Sequence, residues 1–280
     1  MDIGVTIFPT DKSIDPVELG RESEARGFES LWFPEHSHIP SSRTTPWGGR
    51  EGAPDLPEEY WRTLDQFVAL AAVAAATERI RLGTGICLVA QRDPIWLAKE
   101  VATLDRISGG RFLFGVGYGW NKEELEHHGV RHRDRRDRLR ESVLAMQQLW
   151  TQDEAEFHGD HVDFAPSWAW PKPTQQPHPP VILGGAAGPR TAAHIAEFCD
   201  GWMPIGGRHQ LDAGLDEIRK ACEARGRDPE SVELGVFAGK ASREALEELE
   251  GRGVRRVVLG LPPADRDTVL PILDRYTGLL

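Results

Sequence analysis

The chain alternates short β-type runs with longer helical patterns from one end to the other, and this alternation limits the folds open to it. The first run covers residues 3–8 and the second 28–33. Between them, an amphipathic stretch over 16–26 carries its own punctuation. Asp15 is placed to cap, Pro16 suits a first turn and Gly27 suits the exit. Further runs are predicted over 80–89, 111–116, 181–183, 201–204, 232–237 and 254–259. Helical patterns are predicted over 61–77, 94–107, 135–150, 189–198 and 210–225, and one follows each of the last two runs. Strands alternating with helices imply parallel β/α units joined by right-handed crossovers. Eight such units predict an α/β fold, a single (β/α)8 TIM barrel over residues 1–280, with the chemistry on the loops after the strands. An open doubly wound sheet is the alternative, but no GxGxxG follows the first run. The breaker-rich loop after the second run and the irregular stretch 151–180 predict insertions after strands 2 and 4.

Charge and cysteine usage exclude several classes. The 280 residues hold 44 acids against 33 bases, a net charge of −11, which argues against a nucleic-acid partner. The local exception is 131–140, with six Arg against two Asp. It reads as a solvated, ion-paired face, or else as a docking surface for an anionic cofactor tail. Cys87, Cys199 and Cys222 are odd in number and far apart, which predicts a reducing compartment and no disulfide framework. No charged n-region leads into an apolar h-region, and no apolar run approaches 18 residues. A cytoplasmic protein with no membrane partner is therefore expected.

Four constellations fall just after predicted strands. Glu35 and His36 end the second, where an acid and an imidazole could orient and move a proton; a hydrogen-bonded structural pair is the equal alternative. Gly83-Thr84-Gly85-Ile86 on the third marks either a barrel corner or a close approach of backbone to a ligand. After the fourth strand, Gly115, Gly117 and Gly119 leave backbone bare before Trp120 and Asn121. After the fifth, Gly184, Gly185, Ala186, Ala187 and Gly188 lead into a helix with Pro189 in its first turn, an arrangement suited to phosphate. Trp47, Trp168 and Trp170 lie in predicted loops and are candidates for a substrate pocket. No metal is expected, because neither His36/His38 nor His158/His161 joins a cluster of metal-ligand spacing. A GxSxG elbow and a P-loop are both missing from the sequence.

Three segments together resemble the luciferase-like monooxygenase superfamily, and within it the deazaflavin-dependent oxidoreductases. They are LWFPEHSHIP at 31–40, IRLGTGICLVAQRDPIWLAKEVATLDRISGGRFLFGVGYGWNKEEL at 80–125, and VILGGAAGPRTAAHIAEFCDGWMP at 181–204. The resemblance implies coenzyme F420 as cofactor, with FMN as the alternative, a small-molecule substrate and a homodimer. It makes His36 the residue for proton transfer at the substrate, with Glu35 positioning it. It implies a non-prolyl cis peptide at Gly85–Ile86 behind the ring, and cofactor contacts from Gly85, Ile86, Leu88, Gly117, Gly119, Trp120, Asn121 and the turn 184–188. One departure stands out: the sugar-phosphate dehydrogenase branch carries a catalytic acid where this chain has Trp120, which cannot transfer a proton. Three functions follow as candidates: deazaflavin-dependent hydride transfer, an FMN-dependent monooxygenase on the same barrel, and a non-catalytic cofactor binder.

Overall fold

The strands owe their pattern to burial on both faces. In the computed structural model, which describes residues 1–207 and 210–280, eight strands close a parallel barrel. In chain order these are β1 (Asp2–Thr6), β2 (Ser30–Phe33), β3 (Arg81–Thr84), β4 (Phe112–Val116), β7 (Val181–Gly184), β8 (Gly201–Met203), β9 (Glu233–Gly239) and β10 (Arg256–Gly260). The barrel closes where β1 pairs with β10, from Asp2 opposite Arg256 to Thr6 opposite Gly260. Successive residues point to opposite faces. Leu31 and Phe33, Phe112 and Phe114, Val181 and Leu183, and Val257 and Leu259 face the helical layer. Between them Trp32, Leu113, Ile182 and Val258 turn inward and pack with Met203 and Phe237.

Trp32 sets the interior. A Cβ added to Gly83 would stand 2.2 Å from its ring, and one added to Gly115 would stand 1.9 Å from the Thr84 carbonyl oxygen and 3.3 Å from the same ring. Neighbouring strands therefore carry glycine so that the indole can lie inside the barrel, its Nε1 donating to Ser30 Oγ at 2.8 Å. At Gly83 the structure gives neither of the two readings, a barrel corner or an approach to a ligand, but close packing against the Trp32 ring.

The outer layer is α1 (Pro16–Ala25), α3 (Gln66–Ala76), α4 (Pro94–Ile107), α6 (Arg135–Thr151), α7 (Pro189–Phe198), α8 (Leu211–Glu223), α9 (Arg243–Gly251) and α10 (Arg266–Thr277). The expected cap holds: Asp15 accepts from Val17 and Glu18, and Gly27 turns the chain out at φ 88°. Two short helices, α2 (Glu59–Arg62) and α5 (Lys122–His127), belong to the loops.

Three boundaries differ from the sequence expectation. The helix expected over 61–77 breaks at Thr63 and restarts at Gln66, because Asp65 caps it by accepting from Val68 at 2.9 Å. The run 80–89 leaves the ladder after Thr84. Leu88 gives its N–H to the Glu35 carboxylate at 2.5 Å, and 89–91 form a 3-10 turn. The stretch 151–180 is not wholly irregular: β5 (Ala155–His158) and β6 (Asp163–Ser167) form an antiparallel hairpin over α6, tied there by Glu141, which accepts from His161 and Val162.

Gly115→Ala should destabilise the protein by about 3 kcal/mol or more, since the added methyl meets backbone rather than a movable side chain. Gly251→Ala is the control. Its Cβ meets nothing within 4 Å, and it should gain about 0.5 kcal/mol from lower unfolded-chain entropy. Urea unfolding midpoints of both variants check the pair.

Candidate active site

At the end of β2 two adjacent side chains part company. Glu35 turns towards the segment after β3, where it accepts from Leu88 N and from Arg92 Nε at 2.6 Å. Arg92 continues to Asp65 at 3.2 Å and Glu100 at 3.1 Å. Glu35 therefore fixes the loop beside the mouth and does not touch His36. The expected pairing of Glu35 with His36 is replaced by another: His36 Nδ1 lies 2.7 Å from Glu124 Oε2, and the two side chains are 6% and 1% exposed. Adjacent residues of an extended chain face opposite ways, so neighbours in sequence are poorly placed to pair.

Glu124 arrives from α5, whose start the fourth-strand loop sets. Asn121 is its cap and accepts from Glu124 N at 3.5 Å. An Asn followed three residues on by Glu marks a helix start, and that spacing could have flagged Glu124. Glu124 Oε1 also accepts from Ser37 N at 3.1 Å. Removing either member of such a buried pair leaves the other uncompensated.

Aromatic rings wall the space over His36. Tyr60 lies 5.1 Å and Trp120 5.8 Å from it, centroid to centroid. Trp47 packs edge-on to Tyr60 at 5.9 Å, and Phe8 lies 4.6 Å from Tyr60 on the other side. Trp47, Tyr60 and Trp120 thus stand together beside His36, and Phe8, which the sequence did not flag, packs against Tyr60. The loop carrying Trp47 is held to α5 by Glu123, whose Oε1 accepts from Thr44 N and Oγ1, both at 2.9 Å, and from Thr45 N at 3.1 Å. Burial works against that charge, but the hydrogen bonds from Thr45 and Thr44 outweigh it and hold the carboxyl at about 2. Trp168 and Trp170 are elsewhere. They are 79% and 56% exposed on the chain leaving the hairpin, where the Trp170 carbonyl accepts from Lys99 of α4 and its ring faces Lys172. They stand on the outer helical layer and touch none of the mouth residues described above, which removes them from the pocket.

The floor of the mouth runs across β3, β4 and β7. The Gly85–Ile86 bond is cis. A Cβ on Gly117 would stand 2.6 Å, and one on Gly184 2.8 Å, from the Ile86 side chain. These two glycines make room for Ile86 rather than for a ligand. Gly85 lies as close to Phe237, and buried Leu88 packs towards Gly119. The turn 185–188 differs: Gly185, at φ 102°, and Gly188 have no atom within 4 Å of an added Cβ. Gly188 caps α7, no side chain satisfies its first turn, and Pro189 follows. Ala186 is exposed and Ala187 buried beside them.

Arginines gather at this end. Arg136 stands 4.8 Å over the Tyr118 ring. Arg135 has an unpartnered, buried Nε, and its proton affinity is lowered first by burial and then by the charges of Arg136 and Arg190. Bare backbone, an uncapped helix N-terminus and crowded guanidiniums fit an anionic group of a bound cofactor. Asn121 Nδ2 is likewise buried without a partner. Among the described residues no group of three or more His, Cys, Asp or Glu is placed to hold a metal ion, and no helix is long and apolar enough to cross a membrane.

Tyr118 Oη and His194 Nδ1 share a hydrogen bond of 2.9 Å beside the arginines. Burial pushes Tyr118 up to about 12, so it keeps its proton. Burial, with Arg190 next, pushes His194 down to about 4. A histidine depressed in the folded state binds its proton more weakly than in the unfolded chain. Its neutral-form contribution is complete above about 6.5 and is lost as pH falls towards 4, at an order of 3 kcal/mol. Urea unfolding at pH 7.5 and 4.5 should show this loss, and His194→Gln should reduce it.

Residues 12–271 match the family described as luciferase-like monooxygenase. An uncharacterized protein of Mycobacterium tuberculosis (strain ATCC 25618 / H37Rv) is 41% identical over 284 residues, spanning 100% of this chain and 99% of its own. An FMNH(2)-dependent dimethylsulfone monooxygenase of Pseudomonas putida is 35% identical over 63% of this chain and 48% of its own length. An F420-dependent glucose-6-phosphate dehydrogenase of Amycolatopsis mediterranei (strain U-32) is 29% identical over 79% of this chain and 63% of its own. Among solved structures, an F420-dependent secondary alcohol dehydrogenase in complex with an F420-acetone adduct superposes with a TM-score of 0.76 at 17% identity, covering 100% of this chain and 98% of that one. Given the family match and a relative this similar over its whole length, the chain belongs to the luciferase-like monooxygenase family.

Proposed function

We propose that the protein is a coenzyme F420-dependent oxidoreductase acting on a small organic molecule, with His36 as the group that exchanges a proton with the substrate. The observation that carries this reading is the buried His36–Glu124 pair beside clustered aromatic rings, with an uncapped helix N-terminus and arginines across the strand ends. The deazaflavin would supply hydride transfer at its carbon 5. The residues for it are the backbone of Gly185 and Gly188, the α7 N-terminus and Arg135 and Arg136 at the anionic end, with Ile86 beneath the ring. Crowded arginines suit a cofactor whose tail carries more than one negative charge. The F420-dependent relatives support the same choice.

The rest is the work of the chain. Glu124 occupies Nδ1 of His36, which leaves Nε2 as the nitrogen that meets the substrate. The carboxylate stabilises the imidazolium, and its own hydrogen bond to Ser37 N keeps it from swinging away. Tyr60, Trp47 and Trp120 exclude water from that nitrogen. Trp120 transfers no proton, so the acid–base work falls to one side of the mouth. The second reading, an FMN-dependent monooxygenase, draws on the 35% identity to the dimethylsulfone enzyme.

Parallel titrations with oxidised F420 and FMN, followed by tryptophan fluorescence, separate the two. Tighter F420 binding is expected; tighter FMN binding would replace the first reading with the second. Gly185→Val should weaken cofactor binding at least about tenfold, through a strained φ and a blocked turn. His36→Ala should keep cofactor affinity and lose turnover by roughly 10²-fold or more. Retained turnover would remove His36 from the chemistry.

A further inference from the structure

Behind the His36–Glu124 pair a chain of polar side chains runs to the surface. On α5, Glu124, His127 and its C-cap His128 fall at i, i+3 and i+4, so they share one face. Opposite them stand Ser37 and His38, just past β2. Ser37 Oγ lies 2.7 Å from His128 Nε2, 2.9 Å from His38 Nδ1 and 3.4 Å from Glu124 Oε1. His38 Nε2 lies 2.9 Å from His127 Nδ1, with the two rings stacked. Ser37, His127 and His128 are exposed, His38 is half-buried and Glu124 is buried.

Counting donors leaves one direction in which this chain can deliver a proton to Glu124. A carboxylate only accepts, so in the arrangement that joins this chain to the buried pair the Ser37 hydroxyl hydrogen points to Glu124 Oε1, 3.4 Å away. Ser37 Oγ then has only lone pairs left, and both imidazoles must donate to it: His38 from Nδ1 and His128 from Nε2. A neutral His38 that donates from Nδ1 accepts at Nε2, and His127 must donate from Nδ1. Every hydrogen points inward. Burial, and then the neighbouring His38, lower the proton affinity of His128, in keeping with a neutral donor. The charged and titratable groups facing His128 are His38 and Glu35 from the β2 loop, Glu124 from its own helix and Arg92 from beyond β3.

We propose that His127, His38 and Ser37 form a proton inlet that feeds the His36–Glu124 pair from bulk water, with His128 as a second branch. The proposal rests on His36 exchanging a proton with the substrate. A hydronium ion or a buffer acid gives a proton to Nε2 of His127 and leaves as water or as its conjugate base, and the Nδ1 proton of His127 passes to Nε2 of His38. The Nδ1 proton of His38 passes to Ser37 Oγ as the Ser37 hydroxyl proton passes to Glu124 Oε1. One proton has entered, and Glu124 is a neutral acid. The His36 imidazolium has lost the charge that held it, so its Nε2 proton leaves for the substrate. No electrons move, and each hop reverses when the substrate is the proton donor.

Two measurements test this. Ring-nitrogen NMR of ¹⁵N-histidine-labelled protein, without cofactor at pH 8, should find His127 and His38 as Nδ1–H tautomers and His128 as Nε2–H. His38 as Nε2–H or His128 as Nδ1–H would overturn the inlet. The second compares Ser37→Ala, which keeps the backbone N–H that holds Glu124, with Ser37→Thr, which keeps a hydroxyl. In weak buffer Ser37→Ala should lose roughly tenfold in kcat, less than loss of the general acid itself, with KM unchanged and kcat restored by added imidazole. Ser37→Thr should stay near wild type. Wild-type turnover in Ser37→Ala, or no rescue by imidazole, defeats the inlet even where His36→Ala is inactive. An active His36→Ala defeats instead the reading of His36 on which the inlet stands.

Discussion

Much of this architecture depends on an indole placed inside a barrel. Trp32 is fully buried and needs glycine at Gly83 and close quarters at Gly115, so two neighbouring strands carry no side chain on their inner face there. With Leu113, Ile182, Met203 and Val258 it fills the barrel interior. A filled interior leaves chemistry only the ends of the strands. Phe237 and Ile86 then form a lid on that core, and the lid is the floor of the mouth. The packing that stabilises the barrel and the surface on which a flat ring would rest are one continuous set of contacts.

Above that floor the tasks are divided by strand. The end of β2 supplies His36, buried against Glu124. The segment after β3 supplies a surface, held in place by Glu35. The turn after β7 and the start of α6 supply positive charge. These strands are consecutive around the barrel, in the order β2, β3, β4, β7. A ligand long enough to touch both the imidazole and the arginines would lie across their ends.

The fold was legible because its signal is repeated: strand-forming runs alternate with capped helices, and each cap such as Asp15 or Asp93 is local. The positions of His36 and of the bare turn 185–188 were legible for the same reason, since each follows the end of its own strand. What the sequence hid was pairing at a distance. Glu124 is 88 positions from His36, whereas Glu35 is adjacent and therefore attracted the role. The arginines of 131–140 read as a solvated face, and Arg131 and Arg140 do pair with Asp134 and Glu197. Arg136 instead covers the Tyr118 ring after β4, and Arg135 donates to the His132 carbonyl with its Nε left unpartnered. Trp168 and Trp170 misled because aromatic loop residues carry no mark of which side of the helical layer their loop lies on, and the hairpin carries them outward.

Glu123 and Glu124 are neighbours with different duties. Glu123 fastens the loop bearing Trp47 to α5, while Glu124 leaves the same helix to meet His36. The fastening stays charged well into acid, so it does not loosen at the pH values where histidines change state. A loop that lifts to admit substrate must therefore either give up three hydrogen bonds at once or carry α5 with it. In the second case His36 parts from its carboxylate whenever the mouth is open and regains it on closure. An open mouth and the His36–Glu124 pairing would then be mutually exclusive.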